Sequence, residues 1–548
     1  MKLFLASMFT LGILFLMFFS FVLFLFSLYG MIDVFLVIFL TGILFFLYWL
    51  LSPYFTDLVL GIFHKLKWID LKKLREMDPE LANFLLEVCK KNSIKIPKLG
   101  FIEDDNPTAF CYGSAAFNAR IVFTQGLFRY LESDERKAVI AHEIGHIVHR
   151  DFIIMTLAAF LLTLLYNISR SLMKWKGEKK KNIGVLAGII AYVFYLIGNY
   201  IVLFLSRLRE YYADEFSAKL VGSDALARAL LKVAYGILAK PDTEAETSLM
   251  NATRPLGLVD PKGIKSMGLA YANGKLSGNE EPLLRAFLFD LHNPWAFWIE
   301  LNSTHPLIAK RIKRLDEIGT ITSFNFQRIK RIKIDKKKLY AGFAKDVLIN
   351  ILPFISSGII AFIFIFIVTR YFSISTLPAA LFSIAMFLFY LFFLVMGISL
   401  ILKAFYRYPK KQLAKTNILE LLGDVYASPV KGRYVELRGK IIGRGIPGLI
   451  IGEDMMLQDP TGLIFLNYEG LIPGLGNLIF AVRRVNKLIG KDVKVRGWFL
   501  RGATPRIELD EIVVMKEGRR IKSYVRFWAI GIGVIFFMFL LFTLPIFL

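Results

Sequence analysis

Residues 133–151 read SDERKAVIAHEIGHIVHRD. Asp134 and Glu135 suit the positive end of a helix, and Val139, Ile140, Ile144, Ile147 and Val148 carry its apolar side toward Asp151. Inside it lies His142-Glu143-Ile144-Gly145-His146. Positions i and i+4 share a helical face, so both imidazoles can reach one ion, while Glu143 can touch a water on that ion without ligating it. Such a short pattern also arises by chance, as two helix histidines beside a surface glutamate. A third donor therefore matters, because a catalytic zinc takes three protein groups and leaves one place for water. The His-x-x-Gly-x-x-His extension is absent, since residue 149 is His and residue 152 is Phe. Further along, SRLREYYADEFSAKL (206–220) places Glu210 and Asp214 at i and i+4, with Arg207 one turn earlier. Glu210 is the expected third ligand, and Asp214 and Arg207 the groups expected to hold the ligands from behind. His149 reads as closing the C-terminal turn of its own helix.

The 548 residues are 56% apolar, with 51 Phe, above what a water-soluble globule carries. A bilayer core about 30 Å thick takes about 20 residues of helix. Leu3–Tyr29, Met31–Leu51, Phe152–Met173, Ile183–Leu205, Val347–Val368, Thr376–Leu402 and Phe527–Leu548 meet that length. Asn167, Arg170 and Asn199 leave open whether the hairpin at about 152–205 crosses fully. Two non-membrane regions remain, 53–346 around that hairpin and 403–526, and an even number of crossings separates them. Their flanks hold Lys333, Lys336, Lys337, Lys338, Lys403, Arg407, Lys410, Lys415, Arg519, Arg520 and Lys522, and such residues stay cytoplasmic. The opposing loop has Lys174, Lys176, Lys179, Lys180 and Lys181, a smaller set. Both regions are thus expected in the cytoplasm, and membrane flanks explain the net charge of +24 without nucleic acid. Cys89 and Cys111 are too few for a disulfide framework or a Cys-rich zinc site.

The run ARIVFTQ (119–125) has strand composition, with Gly126 after it. If it is an exposed edge, an extended peptide can pair with Ile121, Val122, Phe123 and Thr124 through main-chain hydrogen bonds. The alternative is a strand paired inside a small sheet.

In chain order PTAFCYG (107–113), FTQGL (123–127), AHEIGHIVHRD (141–151) followed directly by a span, SRLREYYADEFSAKL after a second span, and STHPLIAKRIKRL (303–315) form a specific composite. It resembles the HtpX-like membrane zinc metallopeptidases, relatives of the CAAX-prenyl proteases, over about residues 50–316. The resemblance implies a mixed α+β zincin (gluzincin) domain in a polytopic α-helical membrane protein. It implies one Zn2+ on His142, His146 and Glu210, Glu143 as general base for attack of zinc-bound water on a peptide bond, and a supporting Asp214. His305 and Arg311 match a pair near the family's site, as oxyanion or substrate contacts; alternatively Thr304-His305-Pro306 caps a helix running to Leu315. Thr108 and Cys111 stand where many relatives have Asn and Ala. The expected substrates are misfolded or unfolded membrane proteins at the cytoplasmic face. A narrow processing protease and a non-catalytic membrane scaffold are the alternatives.

Residues 416–517 change character: RYVELRGKIIG (433–443), MMLQDPTGLIFLNYEG (455–470), KDVKVRGWFLRG (491–502) and RIELDEIVV (506–514) read as about five strands. A turn at Asp459-Pro460-Thr461-Gly462 divides the second run. The order resembles a small OB-like barrel. Tyr468, Trp498 and Phe499 are candidate stacking platforms, although strand aromatics are more often core, and nucleic acid is not the expected partner.

Overall fold

The computed structural model describes residues 34–174, 181–239, 281–323, 332–371, 379–410, 413–444, 454–502 and 504–547, with a few positions elsewhere. The span expected at Leu3–Tyr29, the basic residues Lys176, Lys179 and Lys180, and the start of the span at Thr376 lie outside them wholly or in part. Among the described residues five helices are long and apolar enough to cross a membrane, with windows at Phe45–His64, Asp151–Arg170, Gly184–Leu220, Lys336–Ile367 and Ser383–Arg407. A shorter apolar helix covers Val525–Phe539. The molecule is a multi-pass membrane protein. The chain divides into two compact units, Met1–Tyr271 with Phe297–Arg328, and Ala272–Ala296 with Ile329–Leu548.

In the first unit, helix α1 (Val34–His64) runs past Leu51, where the sequence placed the end of a span, and through Pro53. Tyr54, Phe55, Leu58, Ile62 and Phe63 keep the apolar run going and are exposed. Its far half is stapled to a four-stranded sheet. Trp49 Nε1 donates to Ser114 O at 2.8 Å, and Asp57 accepts from Tyr112 Oη at 2.8 Å and Arg120 Nη2 at 3.1 Å. The sheet is β1 (Lys67–Ile69), β2 (Lys98–Ile102), β3 (Ala109–Tyr112) and β4 (Arg120–Thr124). Their spatial order is β1-β2-β4-β3.

That order overturns the edge-strand expectation. Ile121, Val122, Phe123 and Thr124 are all buried, with β4 paired parallel to β2 on one side and antiparallel to β3 on the other. Both rows of main-chain groups are used, so no peptide can add to β4. The unbroken run Ile-Val-Phe without polar alternation is the pattern of a strand covered on both faces. The edge strands are β1 and β3.

Helix α2 (Pro79–Lys91) is capped by Asp78, which accepts from Leu81 N at 3.0 Å. Helix α3 (Ser133–Val148) starts with Glu135 reaching back to Glu132 N at 2.8 Å. Arg150, at φ 58° and ψ 37°, turns the chain in the left-handed region before α4 (Asp151–Met173). Helix α5 (Lys181–Leu220) has 40 residues, and α4 has 23. At 1.5 Å per residue these are about 60 Å and about 35 Å, each enough for a bilayer core. The sequence separated a span ending at Leu205 from a following helix, whereas α5 continues through Ser206 to Leu220 without a break. Ser169 Oγ donates to Gly188 O at 2.8 Å near the hairpin's turn. Lower down, Ser217 Oγ donates to Ala138 O at 2.6 Å and binds α5 to α3. Helices α6 (Ser223–Ala239) and α7 (Ile308–Ile318) complete this unit.

The second unit contains the membrane helices α8 (Lys336–Tyr371), α9 (Ala379–Arg407) and α10 (Val525–Phe547). Close pairs 346–406, 350–403 and 356–399 show that α8 and α9 run antiparallel. Between α9 and α10 come β5 (Ala414–Lys415), β6 (Arg433–Arg444), β7 (Met455–Asp459), β8 (Gly462–Asn467), β9 (Asp492–Arg501), β10 (Pro505–Val514) and β11 (Arg520–Lys522). Strand β6 pairs with β7, β7 with β8, β8 in parallel with β10, β10 with β9, and β9 with β6 again, so five strands form a closed circuit. Asp459 builds the expected turn by accepting from Thr461 N and Gly462 N at 2.7 and 2.8 Å. Tyr468, Trp498 and Phe499 are buried and present no stacking face.

Candidate metal centre

Two helices approach closely enough to share an ion because Gly145 lies between them. A Cβ there would stand 3.2 Å from Ala213 Cα and 3.4 Å from Phe216 Cβ on α5. With that gap closed, His142 and His146 of α3 meet Glu210 of α5. The two Nε2 atoms are 3.2 Å apart, and each is 3.4 Å from one oxygen of Glu210. The three donor atoms lie within 4.8 Å of one another.

Each imidazole is held from behind by a carboxylate. His146 Nδ1 is 2.6 Å from Asp151 Oδ2, which also receives Arg209 Nη2 at 2.7 Å. His142 Nδ1 stands 3.0 Å from Asp214 Oδ1, at an angle outside hydrogen-bond geometry. Asp214 is clamped by Arg311, with Nε at 2.8 Å and Nη2 at 2.6 Å. Burial disfavours a charged His142, but Asp214 and Glu210 outweigh it and raise its pKa to about 9. A metal ion would take the place of that proton.

Of the other expected residues, His305 and Arg311 are brought to the centre and Arg207 is not. His305 Nε2 is 3.5 Å from Glu210 Oε1, and Arg311 Nη1 is 3.8 Å from Glu210 Oε2. Thr304-His305-Pro306 does not cap α7, whose N-cap is Leu307 without a side-chain bond. Arg207 donates instead to Glu300 O at 2.8 Å and Ser303 O at 2.9 Å, tying down the loop before His305. Three residues before Glu210 is offset around the helix, and the long arginine reaches away from the donors. His149 caps α3, its ring edge-on to Tyr212 and Phe216. Asp151 and Arg209 were missed in the sequence. Asp151 follows His146 by five, off its helical face, and only the turn at Arg150 brings it back. Cys111 was seen without a role; its Sγ donates to Glu143 O at 3.3 Å, joining β3 to α3.

Glu143 is buried, and among the described residues both its carboxylate oxygens lack a hydrogen-bond partner, as does Glu210 Oε2. Unpaired buried carboxylate oxygens are costly, and a cation with its attendant water satisfies them. The donor set of two imidazoles and one carboxylate therefore fits a metal ion. Burial raises the Glu143 pKa above the ordinary range, with His142 and His146 pulling against it. Beside these groups a cavity of about 350 Å³ is lined by Cys111, Tyr112 and Gly113 at the end of β3, and by Pro53, Phe152 and Met155 from membrane helices.

Peptidase family M48 matches residues 76–319, which contain every donor described above. Proteins described as protease HtpX homologs show the same relation. That of Thermoplasma acidophilum is 33% identical over 278 residues, 49% of this chain and 81% of that protein. The homolog of Aeropyrum pernix is 30% identical over 289 residues, 50% of this chain and 82% of its own length. The chain belongs to peptidase family M48. It is an HtpX-like membrane metalloprotease. That of Methanothermobacter thermautotrophicus is 35% identical over 189 residues, 34% of this chain and 69% of that protein. The solved structure of S. mikatae Ste24p covers 58% of this chain and 66% of that chain at 17% identity. The TM-score is 0.33. Residues 320–548, with the closed strand circuit, lie outside the M48 match.

Proposed function

We propose that the protein is a zinc endopeptidase acting on unfolded or misfolded membrane proteins at the cytoplasmic face. The observation that carries this is the Glu143 carboxylate, unpartnered among the described residues, beside the His142–His146–Glu210 cluster. His142, His146 and Glu210 would hold the ion, Asp214 with Arg311 and Asp151 with Arg209 fixing the rings. When bound, zinc supplies Lewis acidity that polarises a peptide carbonyl and makes water more acidic. Glu143 takes the proton from the attacking water and passes it to the leaving amine nitrogen. His305 would donate from Nε2 to the carbonyl oxygen as it gains charge, a role that its 3.5 Å approach to Glu210 Oε1 supports. The substrate main chain pairs with the terminal strand β3, whose Tyr112 and Gly113 border the cavity, and such pairing reads little sequence. Apolar walls from membrane helices favour segments that have just left a bilayer.

The second unit's five-strand circuit, with β8 and β10 parallel, supports an OB-like barrel as its architecture. The basic flanks support a cytoplasmic position for both regions.

The test is Glu143→Gln, a near-isosteric change. Full-length variant and wild type are purified, zinc is measured by mass spectrometry, and cleavage of an unfolded membrane protein is followed. Zinc stays at one per chain while cleavage falls about 10²- to 10⁴-fold, the range for losing a general base. Undiminished cleavage by the zinc-loaded variant would falsify the assignment.

A further inference from the structure

The second unit holds a cavity of about 880 Å³, far from any metal donor in sequence. It lies at one end of the α8–α9 hairpin: Lys338, Lys345 and Ile349 near the start of α8, and Leu402, Phe405 and Tyr406 near the end of α9, line it. The apolar windows of these helices begin at Lys336 and finish at Arg407, so this end is where a bilayer's headgroups meet water. Phe405 and Leu402 are each 50% exposed, an apolar wall facing outward along the helices.

The cavity's lysines lie beside aromatic rings. Lys345 Nζ and Lys431 Nζ each stand 5.7 Å from the centroid of the Tyr406 ring, and Lys338 Nζ is 4.7 Å from that of Tyr426. None of the three lysines forms an ion pair among the described residues. The cavity's two carboxylates are already occupied. Asp346 accepts from Tyr406 Oη at 2.6 Å and Trp295 Nε1 at 3.1 Å, and Asp424 faces Arg433 Nη1 at 3.4 Å. Two ammonium groups beside one ring, neither neutralised by a carboxylate among the described residues, leave positive charge that an anion can offset.

We propose that this cavity binds one anionic phospholipid, its phosphate between Lys345 and Lys431 and an acyl chain along Ile349, Leu402 and Phe405. Cation–π contact with Tyr406 holds both ammonium groups toward the phosphate, and basic pockets at membrane helix ends are suited to such headgroups. The proposal shares no residue with the peptidase centre and stands whether or not the zinc reading holds.

The experiment uses full-length protein, stripped of lipid in detergent, and native mass spectrometry with phosphatidylglycerol, phosphatidylcholine or glycerol phosphate. Three proteins are compared: wild type, Lys345→Gln/Lys431→Gln, and Lys336→Gln/Lys337→Gln, which removes equal charge from the same helix end outside the cavity. Melting temperatures check that each is folded; all four lysines are exposed. Wild type is expected to retain one phosphatidylglycerol in preference to phosphatidylcholine. The 345/431 variant loses this binding about tenfold or more, and the 336/337 variant changes far less. Equal loss in the two variants would show only diffuse surface charge. Undiminished binding by the 345/431 variant, or glycerol phosphate binding as tightly as the lipid, would likewise overturn the proposal.

Discussion

At the residue scale each imidazole of the centre has a carboxylate behind it. Asp214 illustrates the chain of contacts: Arg311, fully buried, grips the carboxylate, and the carboxylate faces the ring nitrogen of His142 that a metal does not need. Removing one such support costs metal affinity even though no ligand is touched. Asp214→Asn is expected to weaken zinc about 10- to 100-fold in chelator competition, and to lower stability because Arg311 loses its charge partner. Wild-type zinc affinity in that variant would show that Asp214 serves packing alone. That His142 and His146 share a face with Glu143 beside them was legible because helical spacing is written directly in sequence. Asp151 was not legible, since its approach to His146 depends on one left-handed residue, Arg150, and such a turn has no marker when the residue is not glycine.

At the element scale the site depends on how close α3 and α5 come. Gly145 permits a backbone approach that any side chain would resist, and Ser217 locks it by a bond to Ala138 O. Gly145→Leu would push the helices apart, with an overpacking cost of about 1–3 kcal/mol. A lower melting temperature and a marked loss of zinc affinity are expected, with Gly145→Ala milder; tight zinc in the leucine variant would contradict this role. Strand β4 teaches the converse lesson. Its β character was plain in sequence, but whether a strand is an edge is set by what pairs with it from elsewhere, here β2 and β3. The unalternating Ile-Val-Phe run was the available sign of an interior strand.

At the scale of the whole molecule, apolar runs and basic flanks made the membrane character legible, while helix ends were less so. Apolar residues past Leu51 and amphipathic ones past Leu205 continue the same helices, and hydropathy marks where a bilayer could lie rather than where hydrogen bonding stops. Orientation is tested by labelling with a membrane-impermeant maleimide. The native cysteines, Cys89 and Cys111, are buried, which keeps the background low. In intact cells Lys174→Cys is expected to label and Lys415→Cys to label only after lysis. Labelling of Lys415→Cys in intact cells would place the second unit on the opposite side.

The account rests on one ion shared by two helices. The most direct measurement is zinc content per chain in purified full-length protein, wild type against Glu210→Ala, with circular dichroism to confirm that both are helical. One zinc in wild type, and little or none in Glu210→Ala, is the outcome this geometry requires. Full zinc in the alanine variant, or a wild type that takes up none when zinc is supplied, would contradict it.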